Sequence, residues 1–244
     1  MRPLRARVAL AAALGLVLAP ATPATAAAPK PGPKIEQLVV FRDGAAKLRS
    51  VRADQTSAEL SGRSCAVPRG TPLSGLLRSK VAGAKLRDFG SCSSRTADAA
   101  GLFVSGLGPD RNKGDRGWVY KVGRKAGTAG AADPTGPFGR GLLERGDRVT
   151  WFYCLRAADC QPTLEIRASP ASVGGAPAVS VRVRGYDDKG RGADVPGATV
   201  HFDEQTAVTG ANGLVTVPLA PGIYDVYAEK QGFVRSFTEA EKVQ

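Results

Sequence analysis

Gly117-Trp118-Val119-Tyr120-Lys121-Val122-Gly123 and Glu144-Arg145-Gly146-Asp147-Arg148-Val149-Thr150-Trp151-Phe152-Tyr153-Cys154 decide how this chain is read. The first alternates between two glycines, with Trp118, Tyr120 and Val122 facing one way and Val119 the other, as a side-chain period of two requires of a strand. The second repeats the device, with Trp151 and Tyr153 on one face. Two strands this aromatic need a partner layer, and the sequence upstream supplies one. Thr71-Pro72-Leu73-Ser74-Gly75-Leu76-Leu77 opens a helix: Thr71 can cap it, Pro72 is tolerated at its first position, and Leu73, Leu76, Leu77 and Val81 form one face.

Further strands flank that helix. Ile35 to Phe41 begins one, Arg42-Asp43-Gly44 turns it, and Lys47 to Arg52 forms a second. Lys85 to Phe89 and Gly101 to Gly106 follow the helix. Mixed strands around one helix read as an α+β domain over 35–162. Within it, Arg124 to Arg140 is too rich in Gly and Asp to be a core element.

Past Pro162 the texture is β only. Thr163 to Ile166, Val179 to Val183, Ala198 to Phe202, Ala207-Val208, Gly213 to Leu219, Tyr224 to Glu229 and Gly232 to Thr238 are short strands separated by turn residues. Such regular spacing predicts a β-sandwich over 163–244, with the boundary near Gln161.

The first 34 residues belong to neither domain. Met1 to Arg7 is basic, Val8 to Ala19 is apolar, and Ala24-Thr25-Ala26 offers the small-x-small pattern of signal cleavage after Ala26. An apolar run of about a dozen residues is too short for a membrane span, which needs about 20. Residues 1–26 therefore read as a signal peptide and 27–34 as a Pro-rich leader. No stable membrane anchor is expected, and the expected location is extracellular.

The formal charge is +12, falling to about +9 once Arg2, Arg5 and Arg7 leave with the signal. The remaining cations are spread among turn residues instead of forming one basic, aromatic-studded stripe, which argues against nucleic acid. Attraction to anionic cell-wall polymers, or simple solubility, fits better.

Four cysteines, Cys65, Cys92, Cys154 and Cys160, form an even set in an exported chain and read as two disulfides with three conceivable pairings. Cys154 and Cys160 enclose a polar segment right after an apolar strand, which suits a bridged loop. Cys65 and Cys92 then pair by default. Structural zinc sites use cysteines two to four residues apart, a spacing missing here.

Two stretches resemble known families. The Gly117–Gly123 run and the Gly-Asp-x-aliphatic-x-Trp-x-Tyr run that follows resemble the transcobalamin-like C-terminal domain, a bacterial extracellular domain of unknown function. Thr71, opening the helix, fits its pattern. The resemblance covers about Ile35 to Ile166 and implies a β-grasp-like fold. In the eukaryotic vitamin B12 carriers this domain closes over cobalamin against a large helical barrel; no such barrel is present in this sequence, so cobalamin is not expected. The second stretch, Val195-Pro196-Gly197-Ala198-Thr199-Val200 with Asn212-Gly213 and Pro221-Gly222-Ile223-Tyr224, resembles carboxypeptidase regulatory-like and collagen-adhesin repeats. It implies an immunoglobulin-like or prealbumin-like sandwich used as a stalk. Adhesin relatives often carry a Lys–Asn crosslink. Asn212 sits in a turn, and no crosslink is expected.

Catalytic constellations are thin. His201 is the only histidine, so a Ser-His-Asp site lacks support, and Ser105 lacks the glycine two residues before it that a nucleophile elbow requires. Asp110-Arg111-Asn112 begins like a calcium loop, but Lys121 stands where a bidentate Glu belongs. Asp187-Asp188 and Asp203-Glu204 read as turn carboxylates. Trp118, Tyr120, Trp151 and Tyr153 are the candidate ligand residues, as an aromatic platform or as core against the helix. The expectation is a secreted, non-enzymatic binding or adhesion module without cofactor or metal. Its N-terminal domain would engage a cell-wall polymer, a surface protein or a small ligand, with the sandwich as spacer. The alternative is an accessory component of an extracellular assembly.

Overall fold

The computed structural model describes residues 30–81, 83–156 and 159–244, so the signal peptide expected over 1–26 and its cleavage at Ala26 lie outside the described residues. The first half runs β1 (Lys34–Val40), β2 (Ala46–Arg52), β3 (Thr56–Leu60), β4 (Arg63–Val67), α1 (Pro72–Arg78), β5 (Lys85–Asp88), a 3-10 turn (Thr96–Gly101), β6 (Leu102–Leu107), β7 (Asp110–Arg111), β8 (Gly117–Val122), β9 (Lys125–Ala126) and β10 (Arg148–Cys154). The two aromatic strands lie side by side, Trp151 opposite Tyr120 and Tyr153 opposite Trp118. They belong to a five-stranded sheet in the order β2-β1-β10-β8-β9, in which β1 and β10 are parallel. A β3–β4 hairpin and a β5-β6-β7 sheet complete this lobe.

Sequence explains the helix. Thr71 Oγ1 accepts from the Ser74 N–H and Ser74 Oγ accepts from the Thr71 N–H, both at 3.2 Å, a reciprocal cap that satisfies two donors at the helix start. Leu73 and Leu76 are buried against Ile35 and Val39. Gly75 permits that approach, because a Cβ there would stand 2.7 Å from Ile35 Cδ1.

The second half contains β11 (Thr163–Val173), β12 (Ala176–Tyr186), β13 (Gly192–Asp194), β14 (Thr199–Phe202), β15 (Gln205–Val208), β16 (Leu214–Pro218), β17 (Gly222–Glu229) and β18 (Glu239–Val243). One sheet joins β11, β12, β13 and β16, the other runs β15-β14-β17-β18. Their inner faces share a core of Leu164, Ile166, Val181, Val183, Val200, Phe202 and Val226. The protein is mostly β, built from several sheets.

Three segments differ from the sequence reading. Gly232 to Thr238 is not a strand; the edge partner of β17 is β18. Ser236 Oγ accepts from the Ala228 N–H at 2.9 Å and occupies a position a ladder would need. β3 and β4 carry no clear sequence signal, since Thr56 to Val67 has little apolar alternation. Arg124 to Arg140 does reach the core: Ala132 is fully buried, and the Ala131 carbonyl accepts from the Leu73 N–H at 2.8 Å. Small side chains let this turn-rich segment cover the helix start.

The five-stranded sheet is buried on both faces, which is why Leu38-Val39-Val40 and Val149 to Cys154 read as unbroken apolar runs. One face meets α1. The other, through Leu38, Val40 and Phe152, meets Val234 and Phe237 of the second lobe. Residues Pro31–Gln244 accordingly form one compact unit.

Candidate functional site

All four aromatic candidates are buried in the first lobe's core. Trp118 sits edge-on to Phe41 and to Tyr153, with centroids 5.7 and 6.0 Å apart, and Tyr120 tilts against Trp151 at 5.3 Å. Their polar tips point to different partners. Tyr153 donates its hydroxyl to the Arg111 carbonyl at 2.8 Å. Tyr120 donates to the Ala129 carbonyl at 2.7 Å, with the Pro137 carbonyl 3.2 Å away. Burial, reinforced by the Asp133 carboxylate, holds this phenol well above the ordinary tyrosine range. Tyr120 therefore pins the 126–137 segment over the sheet as a neutral donor.

Trp151 is different. It is 1% exposed, yet its indole N–H has no acceptor among the described residues. A buried donor left unpaired costs about 1–3 kcal/mol. Trp118, Tyr120 and Trp151 all line a cavity of about 320 Å³ together with Phe103, Ala129 and Ala131, and it extends past the sheet edge to Phe152 and the Asp188 carboxylate. Tyr153 is not part of its wall. The structure thus brings three of the four candidates to one space and places the fourth behind them.

Sequence reasoning missed an aromatic pair of which one ring, Phe103, lines the cavity. Phe103, on β6, stacks face to face with Phe89, centroids 4.5 Å apart and planes within 8°. Phe89 is 85% exposed. The signal was an aromatic placed between Asp88 and Gly90, where a turn would normally carry a polar side chain. β8 also pairs with β9 only through Lys121 and Val122, leaving its Gly117 to Tyr120 edge beside the cavity without a strand partner.

On the opposite face of β8, Lys121 is fully buried between the lobes. Its ammonium donates to the Tyr186 carbonyl at 2.9 Å and pairs with Asp188 at 3.1 Å. Burial pulls it below the ordinary lysine range, and Asp188 opposes that shift. Arg148 makes a second bridge, to Glu36 at 2.8 Å and to both oxygens of Glu239.

Both cysteine pairs are disulfides, Cys65–Cys92 and Cys154–Cys160, which fits an oxidising environment. His201 stacks on Tyr227 at 4.3 Å and contacts Glu229 at 3.0 Å, a surface strand position. Among the described residues, no helix is long and apolar enough to cross a membrane. Comparison of the chain with family models, curated proteins and solved structures gives no match.

Proposed function

We propose that the chain is an exported, non-enzymatic binding module whose first lobe receives a small, mainly apolar ligand in the Trp118–Tyr120–Trp151 cavity. The observation that carries this reading is the Trp151 ring, which lines this largely apolar space while its buried indole N–H has no acceptor among the described residues. Pockets for small ligands combine an apolar lining with a few polar groups that fix orientation, and a small turn of the Trp151 ring would bring its N–H to one acceptor oxygen on the ligand. The exposed Phe89, stacked on the wall residue Phe103, offers an aromatic surface at the rim.

The resemblance to the transcobalamin-like domain supports the same reading, together with a β-grasp-like arrangement of the first lobe. The second lobe, on its resemblance to prealbumin-like repeats, is a sandwich that carries and orients the first. The amino-terminal signal and the disulfides support action outside the cytoplasm.

The test is a thermal-shift screen of neutral compounds small enough for the cavity, run on the native protein and on Ala129→Leu. The larger side chain in this variant would fill part of the space. Compounds that raise Tm in the native protein but not in the folded variant support the proposal. Equal shifts in both proteins, or none in the native one, would overturn it.

A further inference from the structure

The outer face of the β11–β12 sheet carries a concentration of guanidinium that the sandwich core does not require. Alternation puts Ser180, Arg182 and Arg184 of β12 outward while Val179, Val181 and Val183 point to the core. The β11 register then sets Arg167 directly opposite Arg182, and Ser169 opposite Ser180. Like charges facing each other across a strand pair are destabilising. Arg124 reaches the same groove from the first lobe.

Two carboxylates serve these four arginines. Glu165 is taken by the fork of Arg124, whose Nε lies 2.6 Å from it, and Asp194 by Arg182 at 3.3 Å. Arg167 is left 3.8 Å from Glu165 and is 75% exposed. Arg184 donates to the Gly192 carbonyl at 2.9 Å but stands 3.6 Å from Asp194, beyond hydrogen-bond length, and its buried Nε has no acceptor among the described residues. Donors therefore exceed acceptors along an open groove of about 530 Å³ that also holds the Ser169 and Ser180 hydroxyls.

We propose that this groove binds a linear polymer of phosphate-bearing units that lacks bases. Guanidinium forks match phosphate oxygens from several directions, and successive outward residues on a strand repeat about every 6.8 Å, which favours a chain of anions over a single one. Single-stranded nucleic acid would need an aromatic platform for its bases. The one aromatic ring lining the groove, Tyr186, is buried and covered by Arg124 at 4.4 Å. This site is separate from the apolar cavity and stands or falls independently of it.

The experiment titrates the full mature protein with long-chain inorganic polyphosphate over a series of salt concentrations. Arg167→Gln with Arg182→Gln is compared with Arg49→Gln plus Arg87→Gln, an equal change in net charge at exposed positions of the first lobe. The expected result is affinity lower by about tenfold or more in the first variant, with a salt slope shallower by about two, and a change within about twofold in the second. Arg167→Gln alone, altering one exposed side chain, gives an intermediate loss if the double variant is unstable. Equal weakening in both double variants would mean diffuse attraction and overturn the site. So would polyglutamate binding as tightly as polyphosphate, or single-stranded DNA binding tighter.

Discussion

Lys121 donates its ammonium to the Tyr186 carbonyl across the junction of the two lobes, 2.9 Å away and out of contact with solvent. The carboxylate paired with it, Asp188, is partly exposed. Removing a buried charge together with its need for a partner costs less than stranding it. We therefore expect Lys121→Met to change stability by about 1 kcal/mol or less, and Asp188→Asn to destabilise by about 2 kcal/mol. The sign with pH follows from a lysine held below its ordinary value. Between its folded pKa and the unfolded value near 10.5, the unfolded chain binds more protons, so stability rises with pH. The rise should begin at lower pH and be larger in total in Asp188→Asn, and the lysine's share should be missing in Lys121→Met, as read by urea melts from about pH 7 to about pH 10.5.

Tyr120 gives the opposite sign. Its folded phenol titrates above the unfolded value near 10, so its contribution is full below that value and fades as pH climbs beyond it. Tyr120→Phe should cost about 1–2 kcal/mol at neutral pH by leaving the Ala129 carbonyl unpaired. Above about pH 10 the gap between variant and native protein should close. A gap that stayed constant would show that the hydroxyl does not ionise on unfolding as described.

The two disulfides close loops of 27 and 6 residues. Chain entropy assigns about 3.5 kcal/mol to the longer and about 2 kcal/mol to the shorter. Replacing Cys65 and Cys92 by serine should lower the denaturation midpoint more than replacing Cys154 and Cys160. Equal losses would place the cost in the loop between β10 and β11 instead.

Phe89 separates binding from stability. Phe89→Ser removes one stacked pair at the surface and should cost about 1 kcal/mol or less. Ligand affinity in the cavity should fall nonetheless, measured by the concentration dependence of the thermal shift. Unchanged affinity would remove Phe89 from the site.

Much of this arrangement was legible because local and global signals agree. The Thr71–Pro72 helix start, the alternation of Trp118 and Tyr120 and the Cys154–Cys160 loop are each written in adjacent residues. What escaped depends on distant ones. Lys121 looks like a solvent residue between two apolar ones, and only the return of Tyr186 and Asp188 makes its burial tolerable. The last strand lies at Glu239–Val243 and not at Gly232–Thr238, where Val234 bridges to Thr163 and Ser236 exchanges hydrogen bonds with Ala228 through its N–H and its Oγ. The cavity forms because a turn-rich segment folds over two aromatic strands, a closure that no periodicity announces.

Ligand entry can be read from the two tryptophans, both in the cavity wall. Their indole N–H resonances can be followed while the protein is titrated with acetophenone, an apolar ring carrying one acceptor oxygen, and with ethylbenzene, which lacks it. A bound acetophenone should move the Trp151 indole proton downfield in a saturable way and ethylbenzene should move it clearly less, with both movements lost in Ala129→Leu. A Trp151 resonance that stayed in place at millimolar acetophenone, or moved equally with both compounds, would contradict it.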